Sequence, residues 1–140
     1  MLRKLLPVHI LLSIMVGQPT FTEHVIPTSA DYTSSVHAAD VDGDGDMDVL
    51  SASDVDDKVA WYENNGSESF TEHVISTSAN SARSVFAADV DGDGDLDVLS
   101  ASINDDKIAW YENDGSGSFT VHAISTSADA ATSVYAADVD

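Results

Sequence analysis

The chain has 140 residues, of which 25 are acidic and five are basic, so its formal charge is −20. This charge argues against nucleic acid or an anionic membrane surface as a partner, because both are bound through Lys and Arg side chains, and it favours a hard cation as ligand. The chain has no cysteine, which excludes disulfides, thiolate zinc sites and cysteine nucleophiles.

The first segment, residues 1–17, has the features of a secretory signal peptide. Arg3 and Lys4 provide a positive start, and residues 5–16 form a short apolar stretch. This stretch of twelve residues is too short for a bilayer, which takes about 20. The sequence therefore predicts a secreted or cell-surface protein without a membrane span, and the alternative is an ordinary apolar N-terminal segment.

The rest of the chain, 18–140, is predicted to be one repeat domain with a period of 49 residues. Phe21 and Phe70 open successive copies, and the two full copies are identical at 37 of 49 positions. The copies span 21–69, 70–118 and, in part, 119–140. A fixed period of this size is typical of propellers, solenoids and repeat arrays.

Short strand-like segments and turn formers alternate along each period. Around the second copy, strands are predicted at 84–89, 96–102, 107–112 and 119–124. Four short antiparallel strands in each period indicate an all-β fold of β-propeller blades, with a β-solenoid as the alternative. Ten such segments supply about two and a half blades, whereas a closed propeller has roughly four to eight. We therefore expect an incomplete ring, the N-terminal part of a longer repeat protein or a truncated product, which needs further blades in cis or from a second copy.

Two acidic loops, 40–48 and 89–97, follow the first of these strands in each copy. Loop positions 1, 3, 5 and 9 are aspartates, and position 6 is glycine. Calcium takes six to eight oxygens, which a loop wrapped around the ion offers at alternate residues. The pattern matches the first nine positions of an EF-hand loop. Position 12 is Ser51 or Ser100 instead of glutamate, and strands flank the loop, so an EF-hand is excluded and we expect the ninth-position aspartate to close the site.

Other readings of the loops are less favoured by the chemistry. Magnesium prefers a rigid octahedral shell with several waters, and transition metals favour imidazole or thiolate ligands, which the loops lack. A solvated acidic turn remains the alternative without an ion. Four carboxylates placed around one point would repel each other strongly in that case, so the loops predict Ca²⁺ sites.

These loops, followed by a Trp-Tyr-Glu-Asn segment at 61–64 and 110–113, resemble the FG-GAP/VCBS repeats, which are related to the propeller of integrin α-chains. The resemblance covers about 21–140 and implies that each loop holds calcium on one face of a propeller. It implies that Asp46 and Asp95 bind through main-chain oxygen. The third copy departs from the pattern, because it contains only the first two aspartates of a loop, Asp138 and Asp140, so no complete third site is predicted. The implied ligands are Asp40, Asp42, Asp44, Asp46 and Asp48 in the first loop and Asp89, Asp91, Asp93, Asp95 and Asp97 in the second.

The most favoured function is a calcium-stabilised recognition or adhesion module, without catalysis, whose partner is an extracellular protein or glycan. The alternative, which the resemblance also implies, is the propeller portion of a larger secreted carbohydrate-active enzyme, such as a polysaccharide lyase, with its catalytic residues outside this chain. Trp61 and Trp110 recur at the repeat period and are predicted to pack between blades, with sugar stacking as the alternative.

Overall fold

The computed structural model describes residues 20–26 and 29–140 of the chain. The predicted signal peptide, residues 1–17, lies outside the described residues. Within them the regular elements are β-strands, which form two four-stranded antiparallel sheets. No helix in this part of the chain could span a membrane. The all-β prediction is confirmed, and we call the two sheets the first and second blades.

In each blade the strands lie side by side in the order of the chain. The first blade consists of β1 (Thr33–Ala39), β2 (Asp48–Ser53), β3 (Lys58–Asn64) and β4 (Phe70–Ser76). The second blade consists of β5 (Ala82–Ala88), β6 (Asp97–Ser102), β7 (Lys107–Asn113) and β8 (Phe119–Ser125). The four strands predicted around the second copy agree with β5 to β8 to within two residues at each end.

A blade does not coincide with one copy of the sequence repeat. The fourth strand of each blade comes from the start of the following copy, so that Trp61 on β3 pairs with His73 on β4. The described residues contain eight strands instead of the ten predicted. Segments 21–26 and 133–138 are not assigned as strands, because this part of the chain offers neither one a sheet partner.

The second strands of the blades, β2 and β6, are almost wholly buried, and in both of them apolar residues are followed by small ones. All six residues of β6 are buried, including Ser100 and Ser102. Ser100 Oγ lies 3.2 Å from the hydroxyl of Tyr111, and the first blade repeats this contact between Ser51 and Tyr62 at 3.3 Å. Paired hydroxyls satisfy each other inside the sheet, as buried polar groups require.

The two blades stack face to face through β5, which packs against β1 and β2. The stacking buries Val85, which is 4% exposed, whereas Val36 at the same repeat position of the first blade is 67% exposed. Trp61 is 3% exposed and meets Phe119 of the second blade edge to face, with 6.5 Å between ring centroids. Trp61 is therefore part of the core between blades.

Aromatic rings form a row along the first strands of successive repeats. His37 and Phe86 have ring centroids 4.7 Å apart, and Phe86 and Tyr135 have centroids 4.6 Å apart. The backbone N–H of Val134 donates to Ser84 Oγ at 3.2 Å. The segment around Tyr135 therefore follows the second blade as β5 follows the first, and a third repeat of the stack begins there.

Candidate metal centre

Each acidic loop joins the first and second strands of its blade and turns through glycines with positive φ. The first loop runs from the end of β1 to the start of β2, with φ of 73° at Gly43 and 96° at Gly45. The corresponding values in the second loop are 82° and 103°. Side chains adopt this region only with strain, so the alternating glycines let the loop coil with its aspartates at alternate positions.

The coiling brings three carboxylates of each loop together. In the first loop one oxygen each from Asp40, Asp42 and Asp48 lie within 4.8 Å of one another. In the second loop the corresponding group is Asp89, Asp91 and Asp97. Three converging carboxylates are a donor set suited to a hard divalent cation. Loop positions 1, 3 and 9 thus meet in both blades.

The ninth-position aspartate of each loop is fully buried and holds the loop to the sheet. Asp48 Oδ2 accepts a hydrogen bond from the Val41 N–H at 2.9 Å, and its Oδ1 accepts one from the Asn64 N–H at 2.8 Å. Asp97 repeats both distances in the second blade. Each carboxylate oxygen has a second lone pair, so this residue can serve the fold and a cation together.

Four of the predicted ligands lie outside these groups. Asp44 Oδ1 accepts a hydrogen bond from the Asp46 N–H at 2.8 Å, and Asp93 does the same for Asp95 at 2.9 Å. The Asp46 carboxylate lies beside Gly66 of the β3–β4 turn, so close that a Cβ there would be 2.4 Å from Oδ2. Cation binding by these four residues stays a prediction, as does the full set of ten.

The electrostatics of the first loop fit a cation. Asp40 Oδ1 is buried and has no hydrogen-bond partner among the described residues, which is costly for a carboxylate oxygen unless a positive group approaches it. Partial desolvation and the charges of Asp48 and Asp44 raise the pKa of Asp42 above its ordinary value. In the second loop, desolvation and the charges of Asp93 and Asp97 raise the pKa of Asp91. A divalent cation would relieve this repulsion.

Two asparagines that the sequence analysis used only as family markers support the loops. Asn64 closes β3, and its side-chain amide donates to the Met47 carbonyl at 3.1 Å. The Asn113 amide donates likewise to the Leu96 carbonyl at 3.1 Å. The sequence indicates this role only by placing the two asparagines one period apart. Asparagine after a strand is also an ordinary turn residue, so the recurrence alone does not predict a contact with the loop.

The comparisons with known proteins agree with this architecture. A family profile described as "FG-GAP-like repeat" matches the chain three times, over residues 7–51, 40–100 and 89–140. No curated protein and no solved structure matches the chain significantly. The three matches overlap and together cover most of the chain.

Proposed function

Because the chain belongs to the FG-GAP-like repeat family, we propose that its two acidic loops are structural Ca²⁺ sites of a secreted propeller-type recognition module. The observation that supports this most directly is the group of Asp40, Asp42 and Asp48, in which one buried oxygen receives no hydrogen bond from the part of the chain that the structure describes. The second blade repeats the group with Asp89, Asp91 and Asp97. A bound calcium ion would supply positive charge and oxygen coordination at these loops.

The role proposed for the ion is to hold the blade together at its loop end. Asp48, the first residue of β2, accepts hydrogen bonds from Val41 near the start of the loop and from Asn64 at the end of β3, so it connects the loop with two strands of one blade. Asp40 and Asp42 face it without a basic neighbour in hydrogen-bond contact among the described residues. Neutralising this cluster would therefore stabilise the loop and the pairing of β1, β2 and β3.

Calorimetric titration of the chain with Ca²⁺ tests this proposal. We expect about two ions per chain, with dissociation constants near those of extracellular calcium modules, about 10⁻⁴–10⁻³ M. Asp42→Asn and Asp91→Asn should each remove one ion. Asp114→Asn is the matched control, because it removes a loop charge by introducing the residue that the first copy carries at Asn65; unchanged stoichiometry in the first two variants would refute the proposal.

Recognition of an extracellular protein or glycan is the proposed use of the module, and no catalytic residue is assigned to this chain. The proposal includes further blades, in cis or from a second copy, as partners. Its support is that Val36 on one face of the first blade is exposed among the described residues, whereas Val85 on the same face of the second blade is buried. Analytical ultracentrifugation of the chain would detect a second copy, and sequencing the N-terminus after expression in a secreting host would detect cleavage after Gly17.

A further inference from the structure

A continuous series of hydrogen bonds connects the acidic loops of the two blades. The Asn113 N–H donates to Asp97 Oδ1 at 2.8 Å, and the Asn113 side-chain amide donates to the Val41 carbonyl of the first loop at 3.1 Å. The Val41 N–H in turn donates to Asp48 Oδ2 at 2.9 Å. Asp97 and Asp48 are the buried members of the two carboxylate groups, so the series begins at one group and ends at the other.

The central hydrogen bond of this series, from the Asn113 amide to the Val41 carbonyl, is buried. Asn113 is 1% exposed and Val41 is 3% exposed, so water competes little for this hydrogen bond. The same amide also donates to the Leu96 carbonyl of its own loop at 3.1 Å. Asn113 therefore holds main-chain atoms of both loops with one planar group.

The first blade contains the same asparagine without the connection. The Asn64 amide donates to Met47 of its own loop, and the described residues supply it with no carbonyl from another blade. Asn64 and Asn113 thus share the local role, and Asn113 alone of the two has the contact between blades. The pair offers a comparison within one molecule.

We propose that Asn113 couples the two loops, so that a cation in one loop raises the affinity of the other. This inference rests on the proposed function. Val41 lies between Asp40 and Asp42, so fixing these two carboxylates on a cation fixes the Val41 peptide that receives Asn113. Once the Val41 carbonyl is fixed, it orders Asn113, whose backbone N–H donates to Asp97. Asp97 is therefore held in place before a cation enters the second loop. The first cation thus bears part of the entropy cost of ordering Asn113 and Asp97, so the second cation binds with higher affinity.

The charge of a bound cation acts in the opposite direction, because it lowers the negative potential at the other loop. This contribution is screened over about 8 Å at physiological ionic strength. It does not depend on the Asn113 side chain. The coupling through Asn113 is therefore isolated by a double-mutant cycle in which only this side chain and one loop are changed.

The experiment follows filling of the second loop by NMR, with the Gly94 amide as reporter, during Ca²⁺ titrations at 0.15 M salt. Disabling the first loop with Asp42→Asn should weaken binding at the second loop about three- to tenfold. In an Asn113→Ala background, which keeps the backbone N–H on Asp97, the same change should alter the midpoint by less than about twofold. In the control background, Asn64→Ala, the full effect should persist.

A second measurement covers the case in which Asn113→Ala fails to fold. In Asp91→Asn only the first loop can fill, and the Asn113 side-chain amide resonances should shift with the midpoint of that loop. Stationary Asn113 resonances would overturn the coupling, as would a full effect of Asp42→Asn in the Asn113→Ala background. Ions that bind with no Asn113 dependence leave the proposed function intact, whereas no binding at either loop overturns the function and the coupling together.

Discussion

Lys58 and Glu72 form an ion pair between β3 and β4, with 2.8 Å between Nζ and Oε1. Lys58 is only 5% exposed, and Ser29 Oγ accepts a further hydrogen bond from it at 2.8 Å. In the second blade Val121 stands at the position of Glu72. There Lys107 pairs with Asp105 and donates to the Ser78 carbonyl instead. The lysine at this repeat position is thus paired with different partners in the two blades.

The different partners of Lys58 and Lys107 predict different effects for exchanging Glu72 and Val121. Glu72→Val introduces the residue that the second blade carries at this position, Val121, and leaves Lys58 with Asp56 at 3.4 Å as its remaining carboxylate. A largely buried ammonium that loses its closest partner is destabilising, and we expect a loss of about 1–3 kcal/mol in the free energy of unfolding by urea denaturation. The control Val121→Glu should change stability by less than about 0.5 kcal/mol, because Lys107 already has its partners. Equal effects of the two variants would contradict the prediction.

The second prediction concerns the pH dependence of this pair. The hydrogen bond from Lys58 lowers the pKa of Glu72 below its ordinary value of 4.5. Burial opposes the charge of Lys58, but Glu72 and Asp56 prevail and raise its pKa above 10.5. The pair therefore stabilises the fold fully between these two values. Its contribution is lost as pH falls through the lowered pKa of Glu72, and again as pH rises through the raised pKa of Lys58.

Measuring the stability difference between the parent chain and Glu72→Val across pH tests this sign. The difference should be constant from about pH 5 to pH 10 and should shrink in acid. A difference that grows as the pH falls below 4 would contradict the assignment. The protein is freed of divalent cations beforehand and all samples are made in calcium-free buffers, so that protonation of the acidic loops does not enter through cation binding.

A third prediction separates the two roles of the loop aspartates. Asp48→Asn should destabilise the chain by about 2 kcal/mol even in EGTA, because one of its two backbone donors then faces an amide N–H. Asp42→Asn should leave stability in EGTA unchanged or slightly higher, because it removes a repelling charge. In calcium, however, Asp42→Asn should lose the stabilisation of one site, about 1.4–2.7 kcal/mol at 10 to 100 times the dissociation constant. Thermal melts in both buffers distinguish the two variants, and a loss in EGTA for Asp42→Asn would contradict this division.

The strands and the convergence of loop positions 1, 3 and 9 were predictable because both depend on residues close in sequence. The glycines between the aspartates and the turn formers between strands act within a few residues. The stacking of the two blades was not predictable in the same way. The packing of β5 against β1 and β2 joins residues far apart in sequence, and the local pattern of 82–88 does not specify it.

The contact between Asn113 and Val41 shows the same limit at the site itself. The two residues are 72 positions apart, and neither is an acidic ligand type. Val41 even occupies a position in the loop pattern that carries no side-chain ligand. Its role is carried by main-chain atoms, which every residue has, so only the stacking of the two blades reveals it. The burial of Asp48 could not be predicted for the same reason, because the groups that donate hydrogen bonds to it are backbone N–H groups.

The last prediction concerns the contact between the Asp46 carboxylate and the β3–β4 turn. Gly66 and Gly43 have nearly equal φ, 74° and 73°. A Cβ on Gly66 would meet Asp46 Oδ2 at 2.4 Å, whereas a Cβ on Gly43 would meet no atom of the described residues within 4 Å. Gly43→Ala should therefore cost only the strain of the left-handed backbone, about 1 kcal/mol. Gly66→Ala should cost about 1 kcal/mol more, because Asp46 must move and give up its position.

Urea denaturation in EGTA of five variants tests this explanation: Gly43→Ala, Gly66→Ala and Asp46→Ala, and each glycine change combined with Asp46→Ala. In an Asp46→Ala background the extra cost of Gly66→Ala should disappear, while the cost of Gly43→Ala should stay the same. Persistence of the extra cost without the Asp46 carboxylate would mean that the turn, and not this contact, requires glycine at position 66. The second blade offers an independent repetition, because a Cβ on Gly115 would lie 2.4 Å from Asp95 Oδ2. Agreement between the blades would identify this carboxylate as the link between each acidic loop and the turn that follows β3 or β7.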